Sequence, residues 1–275
     1  MKSVSIVIPN YQKLPLIKHL PKVIAASQGS EIIVVDDASP DDTVAYLAKH
    51  FPQVKVVVNQ TNQRFAASCN IGVKTAHGDV VVLLNSDVAP KPGFLKPLIK
   101  HFSDSKVFAV SCLEIQKSGV SGKNHCQYKR GFLIHSAAPI GSGNNCWATG
   151  GSSAFDRKKY LQIGGMDPLY KPAYWEDIDL SWRARQQGFT ILFEPQSQVF
   201  HNHETTNVSV FGQRKMELMA LRNQILFVWK NIRGRRLVEH FLWLPYHLVL
   251  TTIHTKGLFL TAFLQALIKW VQYKL

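Results

Sequence analysis

Acids are scarce in this chain, closely spaced cysteine pairs are missing, and no apolar run is long enough to cross a bilayer. Eighteen Asp and Glu stand against 32 Lys and Arg, a formal charge of +14. That imbalance favours anionic partners: nucleic acid, phosphorylated small molecules or an anionic membrane surface. The four cysteines, Cys69, Cys112, Cys126 and Cys146, contain no C-x-x-C pair. The usual zinc and thiol-redox frameworks are thereby disfavoured, and the pattern reads as reduced thiols in a cytosolic setting. The two most apolar stretches, 241–253 and 258–271, fall short of the roughly 20 residues that a spanning helix needs. The opening MKSVSIVIPN holds an apolar run too short for a signal-peptide core, so export by that route is not expected.

What is present is an ordered globular chain. Its 275 residues are 46% hydrophobic, with 17 Gly and 13 Pro spread along them, enough for one large domain or one and a half with a substantial core. Four β-branched runs, at 3–9, 31–36, 54–59 and 79–85, alternate with stretches of helix-like spacing. Asp41 and Asp42, just ahead of TVAYLAKHF, look like part of a helix start. Repeated β-α units predict a parallel sheet covered by helices on both faces. Ligands of such sheets bind beyond the carboxyl ends of the strands.

The residues that follow the strands are therefore the candidates. They are Pro9-Asn10-Tyr11, Asp36-Asp37-Ala38-Ser39 and Asn85-Ser86-Asp87. Any one acid there can simply cap the next helix. Together they also suit a divalent cation bridging phosphate oxygens, since magnesium uses only one or two carboxylates plus substrate. Further on, 117–145 is rich in Gly, Ser, Lys and His and reads as a long loop over the strand ends or a substrate-adapting segment. Residues 146–155 (CWATGGSSAF) read as a buried strand with a Gly-Gly interruption, and 158–163 as a short helix. In YWEDIDLSWRAR, from Tyr174, a helix beginning near Glu176 puts acids in its first turn and pairs Asp179 with Arg183. That explains Asp179 structurally, whereas Glu176 and Asp177 together exceed what stability needs. A carboxylate at such a helix start suits a general base.

Ten Lys and Arg but only two acids, Glu217 and Glu239, lie beyond residue 205, in the most apolar part of the chain. Residues 212–229 read as an amphipathic helix followed by Lys230, Arg233, Arg235 and Arg236. The two short apolar segments beyond, broken by Pro245, His247 and Gln265, suit an interfacial hairpin. Packing on the rest of the chain or a dimer contact is the other reading. His240, His247 and His254 recur every seven residues, which is read as coincidence rather than metal binding.

SIVIPNY from Ser5, VVDDAS from Val34, Asn85-Ser86-Asp87, Gly164-Gly165-Met166-Asp167 and WEDIDL from Trp175, taken in order, resemble the signature of family-2 glycosyltransferases with the GT-A fold. The resemblance covers about residues 3–230, and the subgroup most similar is that of bacterial rhamnosyltransferase-like and cell-surface polysaccharide enzymes. It implies an α/β fold with a mostly parallel central sheet flanked by helices, a Rossmann-like nucleotide-binding half and C-terminal amphipathic helices. The implied division is a catalytic domain at 1–210, with nucleotide-sugar-binding (1–115) and acceptor-binding (116–210) halves, followed by a membrane-associating extension at 211–275.

By the same resemblance, Pro9, Asn10 and Tyr11 line the nucleotide pocket, and Asp37 hydrogen-bonds the base with Asp36 nearby. Asn85-Ser86-Asp87 stands at the family's D-x-D motif, making Asp87 the main protein ligand for Mg2+ or Mn2+; Asn85 removes one charge from the motif. His201 completes the metal or diphosphate site, with His203 as the fallback. Asp177, with Glu176 beside it, is the catalytic base of an inverting displacement. NQRFAASCNIG from Asn62 resembles the family's N-x-G-F-A stretch, with Arg64 where glycine is usual; this arginine either reaches a phosphate or starts a helix in solvent.

The implied reaction is a single transfer from a nucleotide-sugar donor to a glycan or lipid-linked acceptor in cell-surface polysaccharide biosynthesis. The implied location is cytoplasmic and peripheral on the inner face of the cell membrane, with no nucleic acid expected and the oligomeric state open. A basic nucleic-acid-binding α/β protein and a catalytically inactive nucleotide-sugar-binding relative are the rivals. The basic charge collects beside apolar helices, which disfavours the first; the presence of both Asp87 and Asp177 disfavours the second.

Overall fold

A computed structural model of the chain describes residues 2–201 and 211–275. The four β-branched runs form β1 (Val4–Asn10), β2 (Glu31–Asp36), β3 (Lys55–Val58) and β4 (Val80–Leu84), which pair in parallel. Helices α1 (Lys13–Ala26), α2 (Thr43–His50) and α3 (Phe65–Thr75) connect them. There follow β5 (Val88–Pro90), α4 (Leu95–Ile99), β6 (Val107–Gln116), β7 (Gly119–Ser121), β8 (Asn124–Lys129), β9 (Phe132–Ala137), β10 (Gly143–Asn144) and β11 (Ser152–Asp156). Helices α5 (Arg157–Gln162) and α6 (Glu176–Gln186) precede β12 (Thr190–His201).

The main sheet runs β3-β2-β1-β4-β11-β6-β12, with β10 and β5 beside β12 and β7 beside β6. Strand β11 is antiparallel to both of its neighbours, while β6 and β12 run parallel to each other. One edge therefore collects the ends of β1, β4, β6 and β12 together with the beginning of β11, where Ser152 pairs with Leu84. Side chains alternate across the strands. Ile6, Ile8, Val80 and Val82 pack with Leu16 and Leu20 of α1 on one face, and Val7, Val81 and Leu83 pack with Cys69 and Val73 of α3 on the other.

The structure corrects three expectations. Residues 117–145 are not a structureless loop, because β8 and β9 form an antiparallel hairpin from Asn124↔Ala137 to Lys129↔Phe132. The strand expected over 146–155 begins only at Ser152. The four cysteines are not all thiols: Cys126 and Cys146 form a disulfide with their Cα atoms 5.9 Å apart, while Cys69 and Cys112 are free and buried. A reciprocal asparagine clasp brings the pair together. Asn145 Oδ1 accepts from the Asn124 N–H (2.8 Å), and Asn124 Oδ1 accepts from the Cys146 N–H (2.9 Å).

The tail forms α7 (Gln213–Asn231), α8 (Gly234–Tyr246) and α9 (Leu258–Lys274), with a π-helical turn at His247–Thr251. One side of it packs on the rest of the chain: Ile225, Leu226 and Phe227 of α7 and Phe259 and Ala262 of α9 share a core with Phe132, Tyr170 and Trp175. The other side leaves Phe241, Leu242, Ile253, Leu264 and Ile268 exposed. Two of the three evenly spaced histidines contact the β8–β9 turn, His240 Nδ1 at Gly131 O and His247 Nε2 at Arg130 O, each at 2.9 Å. No described helix is long and apolar enough to cross a membrane.

Candidate active site

At the collecting edge lies a cavity of about 400 Å3. Pro9, Asn10, Tyr11, Asp37, Arg64, Asn85, Ser86, Asp87, Glu176, Asp177 and His201, named from the sequence, all line it. Asp36 does not. It is 2% exposed, and its carboxylate accepts from the backbone N–H and hydroxyl of Ser39, closing its own turn. His203 lies outside the described residues.

Asp37 is largely committed before any ligand arrives. Its oxygens accept from Asn59 Nδ2 (2.8 Å), Gln63 N (2.7 Å) and Arg64 N (2.8 Å). A carboxylate has about four acceptor positions, so one is left for a base edge. Arg64 has φ 72°, in the left-handed region that favours glycine, which accounts for the glycine usual at this place.

Asn85-Ser86-Asp87 leaves the end of β4 and is packed from below by the glycines ahead of β11. The Asn85 N–H donates to Gly151 O at 2.9 Å, and a Cβ on Gly151 would meet the Asn85 amide at 2.4 Å. His201 ends β12 with its Nε2 3.4 Å from Asp87 Oδ1 and its Nδ1 3.2 Å from Glu114 Oε1. Burial opposes a charge on His201, but the bonds with Asp87 and Glu114 outweigh it and raise its pKa to about 9.

Glu114 was missed in the sequence. It is 2% exposed at the end of β6 and also lines the cavity. The signal was available, an acid closing the apolar run VFAVSCL, by the same criterion that singled out the ends of β2 and β4.

These donors suit a divalent ion in a particular way. Among the described residues no group of three or more His, Cys, Asp or Glu is arranged to hold a metal. Asp87 and His201 instead offer one oxygen and one nitrogen at the cavity wall, an arrangement that phosphate oxygens of a ligand would complete. Glu114, behind the far ring nitrogen, stands where an outer carboxylate would orient the imidazole if His201 held a metal.

Across the cavity the chain enters α6 through Tyr174 (φ 73°) and Trp175 (φ 78°), both in the left-handed region. Two such bulky residues cost of order 1–3 kcal/mol each and persist only where the surroundings impose them. The tail supplies that constraint. The Trp175 ring packs tilted against Phe227, centroids 5.1 Å apart, and Asn223 Nδ2 stands 2.8–2.9 Å from the carbonyl oxygens of Tyr170, Ala173 and Tyr174. Trp175 thus answers to packing, and the helix start it shapes presents Glu176 and Asp177 to the cavity.

Asp177 accepts from the N–H of Ile178 (2.8 Å) and of Gly150 (3.3 Å). Burial nevertheless pushes its carboxyl up to about 6. Burial and the neighbouring Asp177 push Glu176 higher, to about 8, and among the described residues its Oε2 has no hydrogen-bond partner. Asp179, one turn on, is fully buried and structural: it accepts from Tyr170 Oη, Arg183 Nε, Lys230 Nζ and Asn231 Nδ2 at 2.7–2.9 Å.

Comparison with known proteins bears on the family and the fold. A family model described as Glycosyl transferase family 2 matches residues 5–164. The Pre-mycofactocin glycosyltransferase of Mycobacterium tuberculosis is 28% identical over 196 residues, 68% of this chain and 40% of that protein. This chain thus spans about two fifths of that relative's length. The crystal structure of GalNAc-T7 with UDP, GalNAc and Mn2+ has a TM-score of 0.66 at 19% identity, over 83% of this chain and 48% of that one. The mannosyltransferase PcManGT from Pyrobaculum calidifontis, in complex with GDP-Man and Mn2+, has a TM-score of 0.60 at 18% identity, over 97% of this chain and 74% of that one. The mixed sheet flanked by helices is the GT-A fold, and the chain belongs to glycosyl transferase family 2.

Proposed function

We propose that the protein is an inverting, metal-dependent glycosyltransferase that moves a sugar from a nucleotide-sugar donor to a glycan or lipid-linked acceptor in cell-surface polysaccharide biosynthesis, within a rhamnosyltransferase-like subgroup. The observation that carries the reading is one cavity lined by Asp87, His201 and Asp177, with the Asp177 carboxyl raised by burial to about 6. That value suits a group that takes a proton near neutral pH. The UDP and GDP-Man bound in the two solved relatives support the donor class.

Pro9, Asn10, Tyr11, Asp37 and Arg64 hold the nucleotide, while Asn85 and Ser86 contact ribose or sugar. Asp87 and His201 hold the metal, which when bound neutralises charge developing on the leaving diphosphate. Asp177 accepts the proton of the acceptor hydroxyl as that oxygen bonds to the anomeric carbon and the bond to the diphosphate oxygen breaks on the opposite face. Glu176, kept protonated by its surroundings, offers a hydrogen bond from Oε2. Residues 1–210 act as the catalytic domain, with donor (1–115) and acceptor (116–210) halves. The 211–275 tail both buttresses the Asp177 helix start and rests, by its exposed apolar side and its arginines, on the inner membrane face.

The test is a thermal-shift screen against UDP-, GDP- and dTDP-sugars, with Mn2+ and with chelator. Binding to the folded state raises the midpoint by mass action. A metal-dependent rise with one nucleotide class is expected; no rise with any of them refutes the donor assignment.

A further inference from the structure

A second cavity of about 500 Å3 opens between α7, α9 and the Lys171-Pro172 turn, and it shares Asn62, Arg64, Pro172 and Phe211 with the first. Its wall carries Arg64, Lys171, Lys215 and Arg222, and the described residues lining it include no carboxylate. Behind it, Arg222 Nη2 and Lys269 Nζ donate to the same carbonyl, Lys171 O, at 2.7 and 2.6 Å. Arg222 Nε also donates to Asn223 Oδ1 at 3.0 Å, so neutral oxygens serve both half-buried cations. Burial lowers the pKa of both, that of Lys269 to about 8. Some other partly buried cations face acids, as Lys230 does Asp167 and Asp179, and Arg183 does Asp179.

Cations gathered in a concave site repel one another, and an anion with several acceptor oxygens relieves that cost. Gln265 of α9 lines the cavity, and beside it Leu264, Ile268 and Val271 form an exposed apolar stripe along the helix, at 52, 61 and 56% exposure. A charged pocket bordered by an apolar stripe matches a molecule with a phosphate head and an apolar chain.

We propose that this second cavity is a subsite for the phosphate of an amphiphilic acceptor, gripped by Lys171, Lys215 and Arg222 while its chain lies along α9. The proposal rests on the transferase reading and specifies its acceptor as a phosphate-bearing amphiphile. Because Arg64 borders both cavities, the acceptor phosphate and the donor diphosphate lie on either side of one guanidinium.

The probe is geranyl phosphate, titrated calorimetrically into the full-length protein saturated with UDP or GDP and Mn2+, whichever binds. Geraniol, inorganic phosphate and phosphatidylcholine vesicles with or without phosphatidylglycerol are the comparisons. Geranyl phosphate is expected to bind with nucleotide in place and to bind more tightly than inorganic phosphate. Lys171→Gln with Lys215→Ala should weaken it about tenfold or more, two charge-assisted contacts being lost. Lys215→Ala alone, at an exposed position, should weaken it in part, and nucleotide affinity should be unchanged in both variants.

The proposal is overturned if geranyl phosphate competes with the nucleotide, if the variants bind it as wild type does, or if geraniol binds equally well. It is also overturned if only anionic vesicles respond, for then the cations read a membrane headgroup. Failure of any nucleotide to bind would instead overturn the transferase reading, so the two failures are distinct.

Discussion

Oε1 of Glu114 lies 3.2 Å from Nδ1 of His201, on the side of the ring away from Asp87. Removing an outer-shell carboxylate of this kind typically costs about 10–100-fold in metal affinity. Glu114→Gln, which keeps the shape but leaves one acceptor oxygen where Ser121 and Ser152 now use two, should therefore weaken Mn2+ binding in the presence of nucleotide by roughly that factor. Electron paramagnetic resonance titration of Mn2+ measures it, and an unchanged affinity removes Glu114 from this role.

The pH profile follows from Asp177. Burial raises its carboxyl to about 6, and the ionised form is the one that accepts a proton. Activity should therefore be present above that pH and fall, by about tenfold per unit, below it. A kcat/KM profile that stays flat between roughly pH 5 and 7 would remove Asp177 as the base.

Asp179 ties α6 to the tail. It is fully buried and accepts from Lys230, Asn231, Arg183 and Tyr170. Taking one partner from a buried ion pair costs about 3–5 kcal/mol; here Arg183 loses its acid, while Lys230 keeps Asp167 at 2.6 Å. Asp179→Ala should lose about that much in urea unfolding. A loss under about 1 kcal/mol would mean that the cluster is solvated and contributes little.

Thiol counting tests the Cys126–Cys146 bond. Unfolded without reductant, the protein should expose two reactive thiols, those of Cys69 and Cys112; with reductant, all four. Opening a loop closed by residues 20 apart should cost about 3 kcal/mol of stability. Alkylating the protein inside intact cells decides whether the bond exists there, since a reducing compartment would keep all four as thiols.

Strands β1 to β4 and the start of α6 were legible because β-branched runs and first-turn acids are local signals. The β8–β9 hairpin was not, because its residues alternate between His125, Gln127 and Lys129 on one side and Asn124, Cys126 and Tyr128 on the other, with little apolar contrast. The disulfide depends on the asparagine clasp between segments about 20 residues apart, which spacing does not reveal. Within the site, strand-end acids marked Asp37 and Asp87. The criterion cannot tell an acid that faces the cavity from one that caps its own turn, and so it also named Asp36. The inward side of the tail was hidden for a similar reason. The continuous apolar run 225–229 at the end of α7 gives no sign of which residue meets Trp175.

The most direct measurement is turnover and donor binding side by side for Asp177→Asn, a change that keeps the side chain's shape and removes its capacity to take a proton. Nucleotide-sugar binding with Mn2+ should stay within about twofold of wild type, while kcat falls by about 10²–10⁴-fold. Transfer at the wild-type rate would show that Asp177 is not the base and that another group activates the acceptor.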